Sequence, residues 1–152
     1  YHAVLSPISS PHNSVQFVPA FIENQGLFCG NKHTLFQQPE AQLTMESMYN
    51  STYVGRSYML DWAPPSLINF KHRATASHME SIALLILSGE MVGYLPKVFA
   101  APWVEAGKMR LLLDDQLSYD EQFSLGYRMQ ERNRTALAFI ECLTKHLCKS
   151  VR

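Results

Sequence analysis

Residues 75–96, TASHMESIALLILSGEMVGYLP, constrain this chain more than any other stretch. Ser77 and Glu80 have capping-box spacing, in which a Ser hydroxyl accepts from a first-turn N–H and a Glu side chain reaches back to the cap. Met79, Ile82, Ala83, Ile86 and Leu87 follow at helical intervals, and Leu84 and Leu85 widen the apolar stripe. Gly89 supplies the left-handed residue on which such a helix ends. Residues 92–95 then read as a buried strand closed by Pro96. A helix over 77–88 feeding an apolar strand is an α/β unit. Because that helix is apolar on more than one face, it must be covered on both sides.

The flanking sequence extends the pattern. Strands are expected over 3–5, 16–21, 26–30, 51–54, 69–76, 109–113 and 122–129, with Pro19 marking an edge or a bulge. Helices are expected over 39–49, with proline in the first turn, over 97–106, interrupted at Pro102, and over 135–148, where Ala136, Ile140, Leu143 and Leu147 form one stripe. Residues 6–14 are a Pro/Ser-rich loop, 56–66 an irregular connection and 114–121 a polar loop. Strands alternating with helices predict an α/β fold, a mostly parallel sheet with helices on both faces.

With 152 residues the chain can bury one sizeable core or two small lobes. Apolar residues make up 47% and charged residues 17%, which excludes a disordered tail. The formal net charge is zero, so nothing here resembles a basic surface for nucleic acid. The apolar run at 82–87 is far too short to span a bilayer. Cys29, Cys142 and Cys148 are an odd number without zinc spacing, and read as reduced thiols. No two of the six histidines have the His-x-x-x-His spacing of a helix-borne zinc site, so surface histidines are the better account. Phosphate-loop, dinucleotide and nucleophile-elbow motifs are absent, and the Asp114-Asp115 pair reads as a solvated turn.

The succession in 75–96 of a small polar start, an apolar helix, a glycine turn and Leu95-Pro96 resembles the effector-binding domain of the LysR-type transcriptional regulators. Residues 21–35, FIENQGLFCGNKHTL, are similar to that family's crossing strand and His-Pro-Leu loop, with Thr34 where proline is usual. Residues 99–113 resemble its short helix, glycine turn and return strand. Residues 123–129 and 134–143 resemble its closing strand and last helix. Gly93 is present, but Met91 shifts the second glycine pattern.

The resemblance implies a two-lobed, periplasmic-binding-protein-like fold of type 2. Residues 1–24 and 99–150 would form part of lobe I, and 25–98 lobe II. The opening YHAVLSP reads as a strand already under way. The first part of lobe I and a winged helix-turn-helix DNA-binding module are therefore expected outside this sequence. The implied protein is a cytoplasmic bacterial regulator, a homodimer or tetramer and not an enzyme, that uses no cofactor and binds a small anionic metabolite between its lobes. A solute-binding protein, or another non-regulatory member of the same fold, is the alternative; a third reading is a dimerisation domain whose cleft is filled by side chains.

Candidate ligand residues lie at strand ends, where α/β sheets collect their ligands. Thr75, Ser77 and His78 precede a helix whose first-turn N–H groups can hold an anion; the plainer reading is that Ser77 and Glu80 only cap it. Arg56 could fork onto a carboxylate, with Gly55 allowing close approach and Ser57 beside it; the plainer reading is a solvated arginine. Ser6, Ser9 and Ser10 follow the first strand and are ordinary loop residues unless a ligand uses them. The resemblance implies effector contacts at these turns. It also implies a two-fold dimer in which Ile82, Leu85, Ile86 and Val92 face the opposite lobe of a second chain.

Overall fold

The computed structural model describes residues 2–7, 13–57, 69–70 and 72–147, without the side chain of His72. They divide into two compact units, Tyr1–Glu23 with Asp120–Arg152, and Asn24–Tyr119.

The first unit holds β1 (Ala3–Ser6), the opening part of β2 (Val15–Gly30), β7 (Tyr119–Arg128, from Asp120 onward) and α5 (Arg134–Leu147). β7 lies between β1 and β2 and pairs with β1 in antiparallel register, Ala3 opposite Tyr127 and Ser6 opposite Ser124. The expected pair of strands at 16–21 and 26–30 is instead the one unbroken strand β2. Its first part lies at the edge of this unit's sheet, where proline is tolerated at position 19. Phe21 and Phe123 stack with ring centres 4.9 Å apart. α5 begins after Asn133, whose Oδ1 accepts from Ala136 N at 3.0 Å, an N-cap bond.

The second unit is a sheet ordered β6–β2–β5–β3–β4, from β6 (Met109–Leu112), the rest of β2, β5 (Val92–Pro96), β3 (Thr52–Arg56) and β4 (His72–Ala76). β3 is parallel to β4 and β5, whereas β2 is antiparallel to β5 and β6. The sheet is thus mixed and not mostly parallel. Its strands divide their side chains between two cores with the two-residue period of a pleat. Leu27, Cys29, Tyr53, Val92, Tyr94 and Leu112 join one core, with Met48 from α1 (Met45–Asn50) and Leu117 from α4 (Asp114–Leu117). Phe28, Val54, Leu95 and Met109 join the other, with Ile82, Ala83 and Ile86 from α2 (Met79–Leu87) and Ala100 from α3 (Lys97–Glu105). All five residues of β5 are buried, which accounts for its continuous apolar run.

Several local expectations shift. Residues 39–49 form a single 3-10 turn, Glu40–Gln42, and then α1, which Thr44 caps through a reciprocal bond pair with Ser47. Residues 114–117 are α4 and not loop. Pro102 sits within α3 without ending it. Segment 99–119, all of which the resemblance assigned to lobe I, groups by contact with the second unit: β6 pairs with β2 and α3 packs on β5 and β6. Among the described residues no helix is long and apolar enough to cross a membrane.

Candidate functional site

β3 and β4 run in parallel with Arg56 opposite Ala76, so their carboxyl ends lie side by side. The next residue on each chain segment is a serine, and the Ser57 and Ser77 hydroxyl oxygens are 3.3 Å apart. This contact explains why the capping box expected at Ser77 does not form. α2 starts two residues later, with His78 at its cap position making no side-chain capping bond. Ser77 is thereby left to face Ser57 and not its own helix. α3 likewise follows β5 directly, with Pro96 at its cap position and no side-chain cap. Two helix N-termini, each with first-turn N–H groups that no cap side chain satisfies, thus follow strands of the same parallel set. Glu80 supplies a carboxylate to the first turn of α2.

Arg56 is not the solvated side chain of the plainer reading. It is only 8% exposed, and its Nη2 donates to Gln25 Oε1 at 3.5 Å. Gln25 is itself fully buried and lies opposite Pro96, at the carboxyl end of β5. Gln25 was not singled out from the sequence, although an amide inside the run NQGLFCG was a usable signal. Lys97, the first residue of α3, was also passed over. Its ammonium pairs with Asp114, whose carboxylate also accepts from Ser118, and these bonds hold Asp114 below its ordinary value. A Cβ on Gly55 would lie 2.7 Å from the Tyr53 ring, so glycine at this position makes room for that ring. Burial in turn pushes the Tyr53 phenol up, with Tyr94 adding to the shift and Arg56 opposing it.

The structure therefore gathers Arg56, Ser57 and Ser77 at one sheet edge, with Thr75 and His78 next to them in the chain and exposed. Ser6, half-buried at the end of β1, belongs to the first unit, and Ser9 and Ser10 lie outside the described residues. Among the described residues no group of three or more His, Cys, Asp or Glu side chains could hold a metal ion. His33, expected at the surface, is buried, and its Nδ1 accepts from Leu35 N at 3.2 Å. Of the residues expected at a dimer contact, Ile82, Ile86 and Val92 are fully buried in their own chain's cores, so they offer a partner no surface. Leu85 is half-buried and packed on the core, while Leu84, outside the expected set, is 68% exposed.

The family model of the LysR substrate binding domain matches residues 2–148. This chain belongs to that family. It is 30% identical over 148 residues to the HTH-type transcriptional activator BauR of Pseudomonas aeruginosa, covering 93% of this chain and 47% of BauR. The chain thus spans about half the length of that curated relative. Among solved structures, the regulatory domain of MetR from Neisseria meningitidis superposes with a TM-score of 0.70 at 19% identity, over 99% of this chain and 74% of that one. Full-length LysG from Corynebacterium glutamicum with bound effector Arg gives 0.69 at 14% identity, over 99% and 51%. These structural likenesses show the periplasmic-binding-protein-like type 2 fold, and the family match identifies a LysR effector-binding domain.

Proposed function

We propose that this LysR domain senses a small carboxylate-bearing metabolite for a cytoplasmic transcriptional regulator and performs no catalysis. The carrying observation is the paired Ser57 and Ser77 hydroxyls at the carboxyl ends of β3 and β4, 3.3 Å apart, beside the buried Arg56–Gln25 pair and the side-chain-uncapped start of α2. Two hydroxyls and first-turn N–H groups can together donate to both oxygens of a carboxylate, and Arg56 supplies positive charge nearby. LysG, with arginine as its bound effector, supports a carboxylate ligand for the fold. Thr75 and His78, exposed at the same turn, would border the ligand. The effector acts by binding one arrangement of the whole regulator better than another, and DNA contact belongs to the rest of that protein, a reading supported by the similarity to BauR, an HTH-type transcriptional activator.

The test is calorimetry on the complete regulator with a panel of amino acids and small carboxylates, on the parent protein and on Ser77→Ala and Arg56→Gln. Losing a hydrogen bond to a charged group costs about 1.5–3 kcal/mol, so each variant should bind the responding ligand at least about tenfold more weakly. Melting temperatures measured in parallel separate binding loss from unfolding. Unchanged affinity in both variants removes these residues from the site.

A further inference from the structure

Tyr53 is 8% exposed, and its ring packs against Phe70 and Tyr94 with centres 4.8 and 6.3 Å away. Its hydroxyl nevertheless has no hydrogen-bond partner among the described residues. No fully buried side-chain nitrogen or oxygen among them lacks a partner, so the Tyr53 oxygen reaches open space while its ring does not. Gly55 shows where. Residues 53 and 55 share a face of β3, and a Cβ on Gly55 would lie 2.7 Å from Tyr53 Cε1 and 3.0 Å from the hydroxyl oxygen. The ring therefore leans over Gly55 toward the carboxyl end of the strand. Two residues beyond Gly55 comes Ser57, whose hydroxyl meets that of Ser77, and Thr75 stands opposite Gly55 in register. A buried phenol with an unused hydroxyl thus points along β3 toward the carboxylate site proposed above. Burial, with Tyr94 adding to it, keeps the phenol protonated, so the hydroxyl can donate as well as accept.

We infer that the Tyr53 hydroxyl is a specificity-determining contact for a second oxygen group on the effector, which makes the ligand a hydroxy- or oxo-carboxylate, a reading that rests on that carboxylate site. Charge favours an oxygen over an ammonium here. Arg73 lies opposite Tyr53 in register and Arg56 three residues on, and both guanidinium groups act on the phenol. A ligand ammonium would be repelled by these cations, whereas a hydroxyl or keto oxygen accepts from the phenol without that cost. An acid lacking the second oxygen leaves the Tyr53 hydroxyl unused and loses one hydrogen bond.

Calorimetry on the complete regulator tests this with matched acids of one carbon skeleton: lactate, alanine and propionate, then malate, aspartate and succinate, then the same trio for any other skeleton that binds. The parent should bind the hydroxy acid about three- to tenfold more tightly than the unsubstituted acid, and more tightly than the amino acid. In Tyr53→Phe, which removes only the hydroxyl, the preference for the hydroxy acid over the unsubstituted acid should shrink to within about twofold. The melting temperature of Tyr53→Phe should not fall below that of the parent, since the hydroxyl has no partner in the chain to lose; a clear drop would assign it a structural role instead. A preference that survives Tyr53→Phe, or an amino acid that outbinds its hydroxy counterpart, overturns the Tyr53 assignment and leaves the carboxylate site standing so long as Ser77→Ala still weakens all three acids. Binding indifferent to both Ser77→Ala and Arg56→Gln, or no binding by any acid of the panel, overturns both.

Discussion

His33 shows how a single buried side chain ties this domain's stability to pH. Its Nδ1 accepts from the Leu35 N–H, so the ring must keep that lone pair and carry its proton on Nε2. Burial lowers the His33 pKa below its ordinary 6.5, with Glu90 opposing the shift. The sign follows directly. The unfolded chain takes up the proton first as pH falls, so the contribution of His33 is complete above about pH 6.5 and declines as pH drops from there through the folded value. For one proton the slope is at most about 1.4 kcal/mol per pH unit. Denaturant titrations at pH 7.5 and about pH 5.5 should show a smaller acid loss in His33→Gln than in the parent; equal losses would mean that His33 is not the titrating group. Elsewhere the charged form wins. The Glu131 carboxylate accepts from the Asn133 and Arg132 N–H groups and pairs with His2, which lowers its pKa to about 2. Burial pushes the Cys29 thiol to about 12, an inert core thiol.

At the scale of elements, α2 is placed by glycines as much as by its apolar stripe. A Cβ on Gly30 would lie 2.2 Å from the Ile86 carbonyl oxygen, and one on Gly93 would lie 2.9 Å from the Val54 carbonyl oxygen and 3.0 Å from Ile86 Cδ1. The obstacle at Gly30 is helix backbone, which cannot swing aside as a side chain can. Gly30→Ala should therefore destabilise the domain by about 1–3 kcal/mol, the usual cost of overpacking. A thermal melt within experimental error of the parent would show that α2 can retreat freely. The helix itself was legible from 79, 82, 83 and 86, and so was its end at Gly89, which has φ +88°. Its start was not, because Ser77 is drawn to Ser57, twenty residues away in sequence, and no local rule registers that pull. The α1 cap was missed for a different reason: Ser47, and not Glu or Gln, completes the box with Thr44. Arg56 looked like a surface residue because its buried partner Gln25 is 31 positions distant. The α/β alternation depends on local periodicity and was readable; the antiparallel β2 and the burial of the site's polar residues depend on pairings remote in sequence.

For the whole molecule, the remaining question is which surface a second copy would cover. β5 cannot serve, since it is hydrogen-bonded to β2 on one side and β3 on the other and all its residues are buried. Ile82 and Ile86 are spent on the core beneath α2. What α2 still offers is Leu84, with Leu87 half-buried three residues on. The first unit exposes Phe139 at a hollow of about 470 Å3 that Ala3, Thr135 and Ala136 also border. A two-fold dimer in which Leu84 of each copy meets the first unit of the other would cover both surfaces in one isologous contact, the commonest symmetry of soluble oligomers. A single exposed leucine is ordinary in a monomer; opposed by a complementary apolar patch within an interface above about 1,000 Å2, it becomes an anchor. The complete regulator should thus be dimeric by light scattering, and Leu84→Glu should shift it to monomer at micromolar concentration. Because Leu84 touches little of its own core, the melting temperature of the variant monomer should stay close to that of the parent at high dilution. A dimer that survives Leu84→Glu undiminished would place the contact on some other face.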